Sequence, residues 1–276
     1  MKAILVASLV IVVAIAVCEE RFVIAVAAAI AVAAAIAVVL LYISCPQIYT
    51  SANSVVIGGQ HSMTIKNNSK EYAVVHIEYN GEDSRYNCYI EKDGIYHKIL
   101  YTYGPGEYRV QVYDGQAQSK PYLEFTKRVR SATKYKGSSY NVELDKYSSI
   151  VDSIIQDNKW DKHTELSTIW EYFSKYEYEY EVEDEISNGN IKVFIPNLDD
   201  TVSKKAGICY DMASLVTCIC RKLYGEAKMC IGYNGKDYHA WCEVYYDNKW
   251  YNMDTIKREY YNNGRGNEEY EVIQTY

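Results

Sequence analysis

Cys209, His239 and Asp254 supply a thiol, an imidazole and a carboxylate at a spacing that suits nucleophilic acyl transfer. The stretch Lys204-Lys-Ala-Gly-Ile-Cys-Tyr-Asp-Met-Ala213 runs from a charged, glycine-containing turn straight into an apolar-periodic segment. That segment has apolar residues at 212, 213, 215, 216, 219, 220 and 223 and stops at Tyr224-Gly225, a glycine suited to closing a helix. Cys209 therefore sits at a helix N-terminus, where unpaired N–H groups and the helix dipole favour a thiolate. Its own backbone N–H is a natural donor to a developing oxyanion. The sequence identifies no second donor.

Three strand-like runs follow Gly225: Ala227–Tyr233, Tyr238–Tyr246 and Trp250–Ile256, separated by Asn234-Gly235 and Asp247-Asn248. This is the pattern of an antiparallel meander. A two-residue Asp247-Asn248 loop pairs Tyr246 with Lys249 and sets Asp254 opposite Trp241, on the sheet side that carries His239. Diagonal neighbours lie ~7–8 Å apart at Cα, within reach of an Asp–His hydrogen bond, and a slip of one residue would part them. In such a set His239 takes the Cys209 proton, while Asp254 fixes the tautomer and stabilises the imidazolium. The other histidines, His61, His76, His97 and His163, have no comparable partner in the pattern.

Three segments in this order resemble the transglutaminase-like superfamily, a papain-like group. Gly207-Ile-Cys-Tyr-Asp-Met-Ala213 looks like its nucleophile motif, Tyr238-His-Ala-Trp-Cys-Glu-Val-Tyr245 like its His-Ala-Trp strand, and Trp250-Tyr-Asn-Met-Asp-Thr255 like its terminal Trp…Asp motif. Ile195-Pro-Asn-Leu-Asp-Asp-Thr201 also fits bacterial members. The resemblance implies an α+β papain-like core with the nucleophile helix packed on an antiparallel sheet. It also implies Cys209 as nucleophile, His239 as base and Asp254 as third member, with no cofactor or metal. Cys242, Met212 and Ile256 depart from common family residues, and none of these departures removes a triad member. The implied reaction is an acyl-thioester on Cys209 passed to an amine or to water, hence cross-linking or hydrolysis of peptide and protein amides, cell-wall peptides included. A rival reading is a non-catalytic surface scaffold that binds through the segment before this core.

That segment, 48–130, reads as a small β-sandwich. Tyr72–Tyr79 is β-rich and ends at Asn80-Gly81, and Tyr108–Tyr113 alternates and ends at Asp114-Gly115. Residues 131–147 are polar and read as a linker, and 148–276 as the transglutaminase-like domain. Within it Ile150, Val151, Ile154 and Ile155 fit one helix face, and Leu166, Ile169, Trp170 and Phe173 another. Tyr176–Glu185 alternates Tyr and Glu, which places Glu177, Glu179 and Glu181 along one side of a strand. Lys127, Arg128, Arg130, Lys134 and Lys136 form the basic cluster, read as a solvated strand end or a contact for anionic polymer.

The chain of 276 residues is 49% apolar with formal net charge −7, an acidic balance that argues against a nucleic-acid footprint. It carries 30 tyrosines against 4 phenylalanines. Of the 8 cysteines, Cys218 and Cys220 are two apart on a helix and point to different sides, which argues against shared metal ligation. Cys230 and Cys242 read as buried thiols or as a disulfide pair.

Residues 1–47 form the hydrophobic end. Ala3–Val17 is apolar throughout and spans about 22 Å as a helix, short of a ~30 Å hydrocarbon core, whereas Phe22–Ser44 reaches about 34 Å. Cys18-Glu-Glu-Arg21 between them is unsuited to mid-bilayer. The two runs read as a signal-like stretch followed by an anchor, or as a membrane hairpin. Lys2 and Arg21 precede the longer run, so the positive-inside rule places the globular part outside the cytoplasm; a hairpin would reverse this.

Overall fold

The computed structural model describes residues 47–49, 54–56, 62–66, 72–91, 96–100, 103–115, 120–121, 123–130, 134–256, 259–262 and 270–276. Gln47–Tyr276 forms one compact unit. The apolar runs at 3–17 and 22–44 lie outside the described residues. Among the described residues no helix is long and apolar enough to cross a membrane.

The first eight strands make two four-stranded antiparallel sheets. One has the order β1 (Gln47–Tyr49), β2 (Ser54–Val56), β3 (Ser62–Lys66), β6 (Tyr96–Leu100). The other has the order β5 (Glu82–Glu91), β4 (Tyr72–Tyr79), β7 (Gly106–Asp114), β8 (Leu123–Val129). The Asn80-Gly81 turn holds both residues at positive φ, 54° and 76°, as a two-residue hairpin with right-handed strand twist requires. Ala73, Val75, Ile77, Tyr108, Val110 and Val112 are buried and form the centre of this sheet's core.

Helices α1 (Ser148–Asp157), α2 (Leu166–Phe173), α3 (Tyr180–Ser187), α4 (Leu198–Lys204) and α5 (Cys209–Tyr224) follow. In α1, Val151 and Ile154 are buried; in α2, Leu166, Ile169 and Phe173 are. The 3.6-residue spacing of these apolar positions is what drives helix formation here. The last sheet runs β14 (Glu259–Asn262), β13 (Lys249–Asp254), β12 (Asp237–Tyr246), β11 (Ala227–Asn234), β15 (Tyr270–Thr275), antiparallel throughout. Mixed helices and antiparallel sheets are thus present, with α5 packed on the five-stranded sheet: Leu215, Val216, Ile219 and Cys220 share one core with Met229, Ile231, Cys242 and Val244.

Four details differ from the sequence reading or sharpen it. The Tyr/Glu alternation yields only a two-residue strand, β9 (Glu177–Tyr178), paired parallel with β10 (Ala206–Gly207), before α3 begins. Helix wins because Glu181 and Glu183 fall in its first turn, where the dipole favours carboxylates; the expected row of glutamates along one strand is not formed. The first turn of the meander centres on Gly235-Lys236, since Asn234 pairs with Asp237. Cys230 faces Trp241 and Cys242 faces Met229 across the same ladder. The two thiols therefore lie on opposite sheet faces, which excludes them as a disulfide pair. Finally, the polar stretch before α1 is tied down by side chains: Tyr135, Tyr140, Val142 and Tyr147 are buried. The Arg221 guanidinium, also buried, donates to the carbonyls of Gly137, Ala227 and Tyr276.

Candidate active site

The β10–α5 junction places the thiol. Ile208 is the N-cap in extended conformation and Cys209 is the first helical residue, so the Cys209 N–H is among the four that lack an intrahelical acceptor. Asp211 Oδ2 accepts from the Ile208 N–H at 3.1 Å, the reciprocal half of a capping box. Burial pushes the Asp211 carboxyl up to about 6, against the pull of the Ile208 and Asn197 N–H groups. Gly207 is required because a Cβ there would fall 2.9 Å from Asp211 Cβ. Gly225 ends α5 in the left-handed region at φ 87°.

The β12–β13 hairpin places the other two groups. Tyr246 pairs with Lys249 and Cys242 with Met253; Asp247 and Asn248 both take positive φ, 47° and 61°. His239 Nε2 lies 2.7 Å from Asp254 Oδ2, with His239 5% and Asp254 1% exposed. Nε2 being engaged, Nδ1 is the nitrogen left for Cys209. Burial lowers the His239 pKa, but the Asp254 carboxylate and the Cys209 side chain together overcome it and push the imidazole up to about 9. The balance favours an imidazolium held between two acidic partners.

Asp254 is held by more than its histidine. Tyr270 donates its hydroxyl to Oδ2 at 2.7 Å, the Ile256 N–H donates to Oδ1 at 3.1 Å, and Trp170 Nε1 donates to the Asp254 carbonyl at 3.1 Å. Tyr270 and the Ile256 N–H satisfy a buried carboxylate that would otherwise be costly. Tyr270 reaches it because β15 pairs with β11, with a register shift between Ile231 and Gly232. A Cβ on Gly232 would meet the Glu271 carbonyl oxygen at 1.8 Å. The sequence reading did not single out Tyr270 and took Trp170 only as part of a helix face. Neither lies in a motif, and in so tyrosine-rich a chain Tyr270 carried no distinguishing signal.

A cavity of about 330 Å³ opens at Cys209. Tyrosines dominate its wall, among them Tyr89, Tyr140, Tyr178, Tyr210 and Tyr238, together with Glu183. Tyr89 comes from β5, and its backbone N–H donates to Tyr140 Oη at 2.8 Å. Asn141 lines the same cavity and is 4% exposed, with Oδ1 buried and without a hydrogen-bond partner. His163 is exposed in the loop before α2, and burial lowers the pKa of His76. Cys88, Cys218, Cys220, Cys230 and Cys242 are buried free thiols. Among the described residues no cluster of His, Cys, Asp and Glu is arranged to hold a metal ion.

Residues 148–255 match the family model of the transglutaminase-like superfamily. No curated protein sequence matches the chain. Among solved structures, a provisionally named cysteine protease from Cytophaga hutchinsonii aligns with 78% of this chain and 84% of its own, at 13% identity and a TM-score of 0.35. A likeness that distant carries no functional weight.

Proposed function

Residues 148–255 are a transglutaminase-like superfamily domain, and on that premise we propose that the protein is a cysteine acyl-transfer enzyme of papain-like type. The observation that carries this reading is the buried His239–Asp254 pair, 2.7 Å apart, with Cys209 acting on the same imidazole.

In the proposed cycle the Cys209 proton already rests on His239 as an imidazolium, and the sulfur attacks an amide carbonyl carbon as a thiolate. The C–S bond forms, the carbonyl electrons move to oxygen, and the Cys209 N–H faces that oxygen. Collapse expels the amine, which takes its proton from His239, and leaves an acyl-thioester. An amine or a water then attacks the thioester with His239 as base, restoring the thiol. Asp254, fixed by Tyr270 and Ile256, keeps Nε2 protonated and Nδ1 directed at sulfur.

The substrates we propose are peptide or protein amides, cell-wall peptides among them. The anchor we propose is the hydrophobic segment within 1–47, with the catalytic part outside the cytoplasm. A scaffold without catalysis accounts less well for an imidazolium and a carboxylate buried together beside a thiol, since burying charge is costly without a use.

The test offers a glutamine-containing peptide with a labelled amine and follows adduct, hydrolysed product and Cys209 acyl-adduct by intact mass. Adduct or hydrolysis that vanishes in Cys209→Ala supports the reading and tells amine from water as acceptor. Turnover equal in the two proteins overturns it. Protease shaving of intact cells separately tests sidedness, with digestion of the globular part expected.

A further inference from the structure

The Cys209 N–H supplies one donor for an oxyanion, and a second donor would strengthen the hold on the developing charge. The cavity wall carries several polar side chains, Ser187, Lys192 and Gln274 among them, and the donor must lie beside the Cys209 sulfur. The unpartnered atom of Asn141 is Oδ1, an acceptor. Trp241 Nε1 is a buried donor without a partner but is not part of the cavity wall. The Tyr210 hydroxyl is engaged with Tyr238 at 3.3 Å, and that of Tyr140 with the Tyr89 carbonyl.

Tyr178 is the wall hydroxyl that hydrogen-bonds with both the Cys209 side chain and Glu183, and the backbone delivers it there. It pairs with Gly207 in the β9–β10 ladder, two residues before the nucleophile. The Glu177 N–H donates to the Lys205 carbonyl at 2.9 Å and the Glu179 N–H to the Gly207 carbonyl at 3.2 Å, which clamps Tyr178 on both sides. Its ring packs against Tyr180 at 4.8 Å between centroids. Tyr178, Cys209 and Glu183 line one cavity.

We propose that Tyr178 is a catalytic residue, the second oxyanion donor, whose phenolic O–H points a hydrogen bond at the carbonyl oxygen while sulfur attacks. This deepens the acyl-transfer reading and rests on it. Burial raises the Tyr178 pKa, and the neighbouring Cys209 and Glu183 raise it further, so the phenol keeps its proton throughout the neutral range. Tyr178 transfers no proton. The C–S bond forms, the oxygen gains the π electrons, Tyr178 and the Cys209 N–H hold it, and collapse returns the electrons as the leaving group departs. Glu183 competes for the single phenolic hydrogen, so the Tyr178–Glu183 contact tunes how freely that hydrogen serves the oxyanion.

Two probes separate this role from simple support of the thiol. p-Nitrophenyl acetate acylates Cys209 through a tetrahedral oxyanion, whereas iodoacetamide alkylates sulfur by displacement of iodide with no oxyanion. Tyr178→Phe is expected to slow the p-nitrophenol burst by about 10²-fold and to leave alkylation within about twofold of wild type. Glu183→Ala removes that acceptor, frees the phenolic hydrogen and is expected to acylate faster than wild type. An unchanged burst in Tyr178→Phe, a parallel loss of alkylation, or a slower burst in Glu183→Ala overturns the proposal. A burst identical in wild type and Cys209→Ala would instead sink the thioester reading itself. That result is distinct from a Cys209-dependent burst that ignores Tyr178.

Discussion

Tyr270 and His239 share one oxygen: each places its hydrogen-bonding atom 2.7 Å from Asp254 Oδ2. The first comes from β15, an outer strand of the sheet, and the second from β12 at its centre. The orientation of the imidazole is therefore set by a strand that carries none of the three motif residues.

Tyr270→Phe removes one of the donors to a buried carboxylate. A hydrogen bond to a charged group contributes ~1.5–3 kcal/mol, so urea unfolding should show a loss of that order. Alkylation of Cys209 should also slow, as His239 loses its alignment. A variant as stable as wild type would mean that Tyr270 does not hold Asp254.

The pKa of His239, near 9 against an ordinary 6.5, makes stability depend on pH. A raised folded-state value stabilises the protonated form. Its contribution is complete below about 6.5 and is lost as pH rises through about 9. At ~1.36 kcal/mol per unit, the loss is on the order of 3 kcal/mol. Denaturant titrations between pH 6 and 10 should show this decline in wild type and a flatter profile in His239→Ala. Equal slopes would contradict the assignment.

Gly232→Ala should reproduce the Tyr270 defect from a distance. The added Cβ would sit 1.8 Å from the Glu271 carbonyl oxygen, so β15 must shift away from β11. The expected cost is about 1–3 kcal/mol, with slower Cys209 alkylation. Combined with Tyr270→Phe, the losses should be less than additive. Full additivity would mean that the two act independently.

Cys230 and Cys242 lie on opposite faces of β11 and β12. Under mild oxidation, disulfide mapping by mass spectrometry should find no Cys230–Cys242 bridge in the folded protein. Finding one in the folded protein would show that the β11–β12 register differs.

Much of the site was legible because its determinants are local. A glycine-containing turn running into an apolar helix places Cys209 at N1, and the two-residue Asp247-Asn248 loop sets a register from which the meeting of His239 and Asp254 follows by arithmetic. Alternation misled at Tyr176–Glu185, because period-2 spacing over a charged stretch does not bury a face, and the helix dipole decided instead. The excess of tyrosine had no reading in one dimension. In the fold, several tyrosines from β5, β9, α5 and β12 and from the stretch before α1 converge on the Cys209 cavity.

The sequence by itself determined the helix that presents the thiol and the hairpin that joins imidazole to carboxylate, since both depend on residues within about one element of each other. The tertiary structure alone decided that Tyr270 and Trp170 grip Asp254, that Tyr178 stands beside Cys209, and that Tyr89 reaches the cavity wall. These partners meet through strand order and packing across tens of residues, and side-chain periodicity carries no record of which distant strands become neighbours.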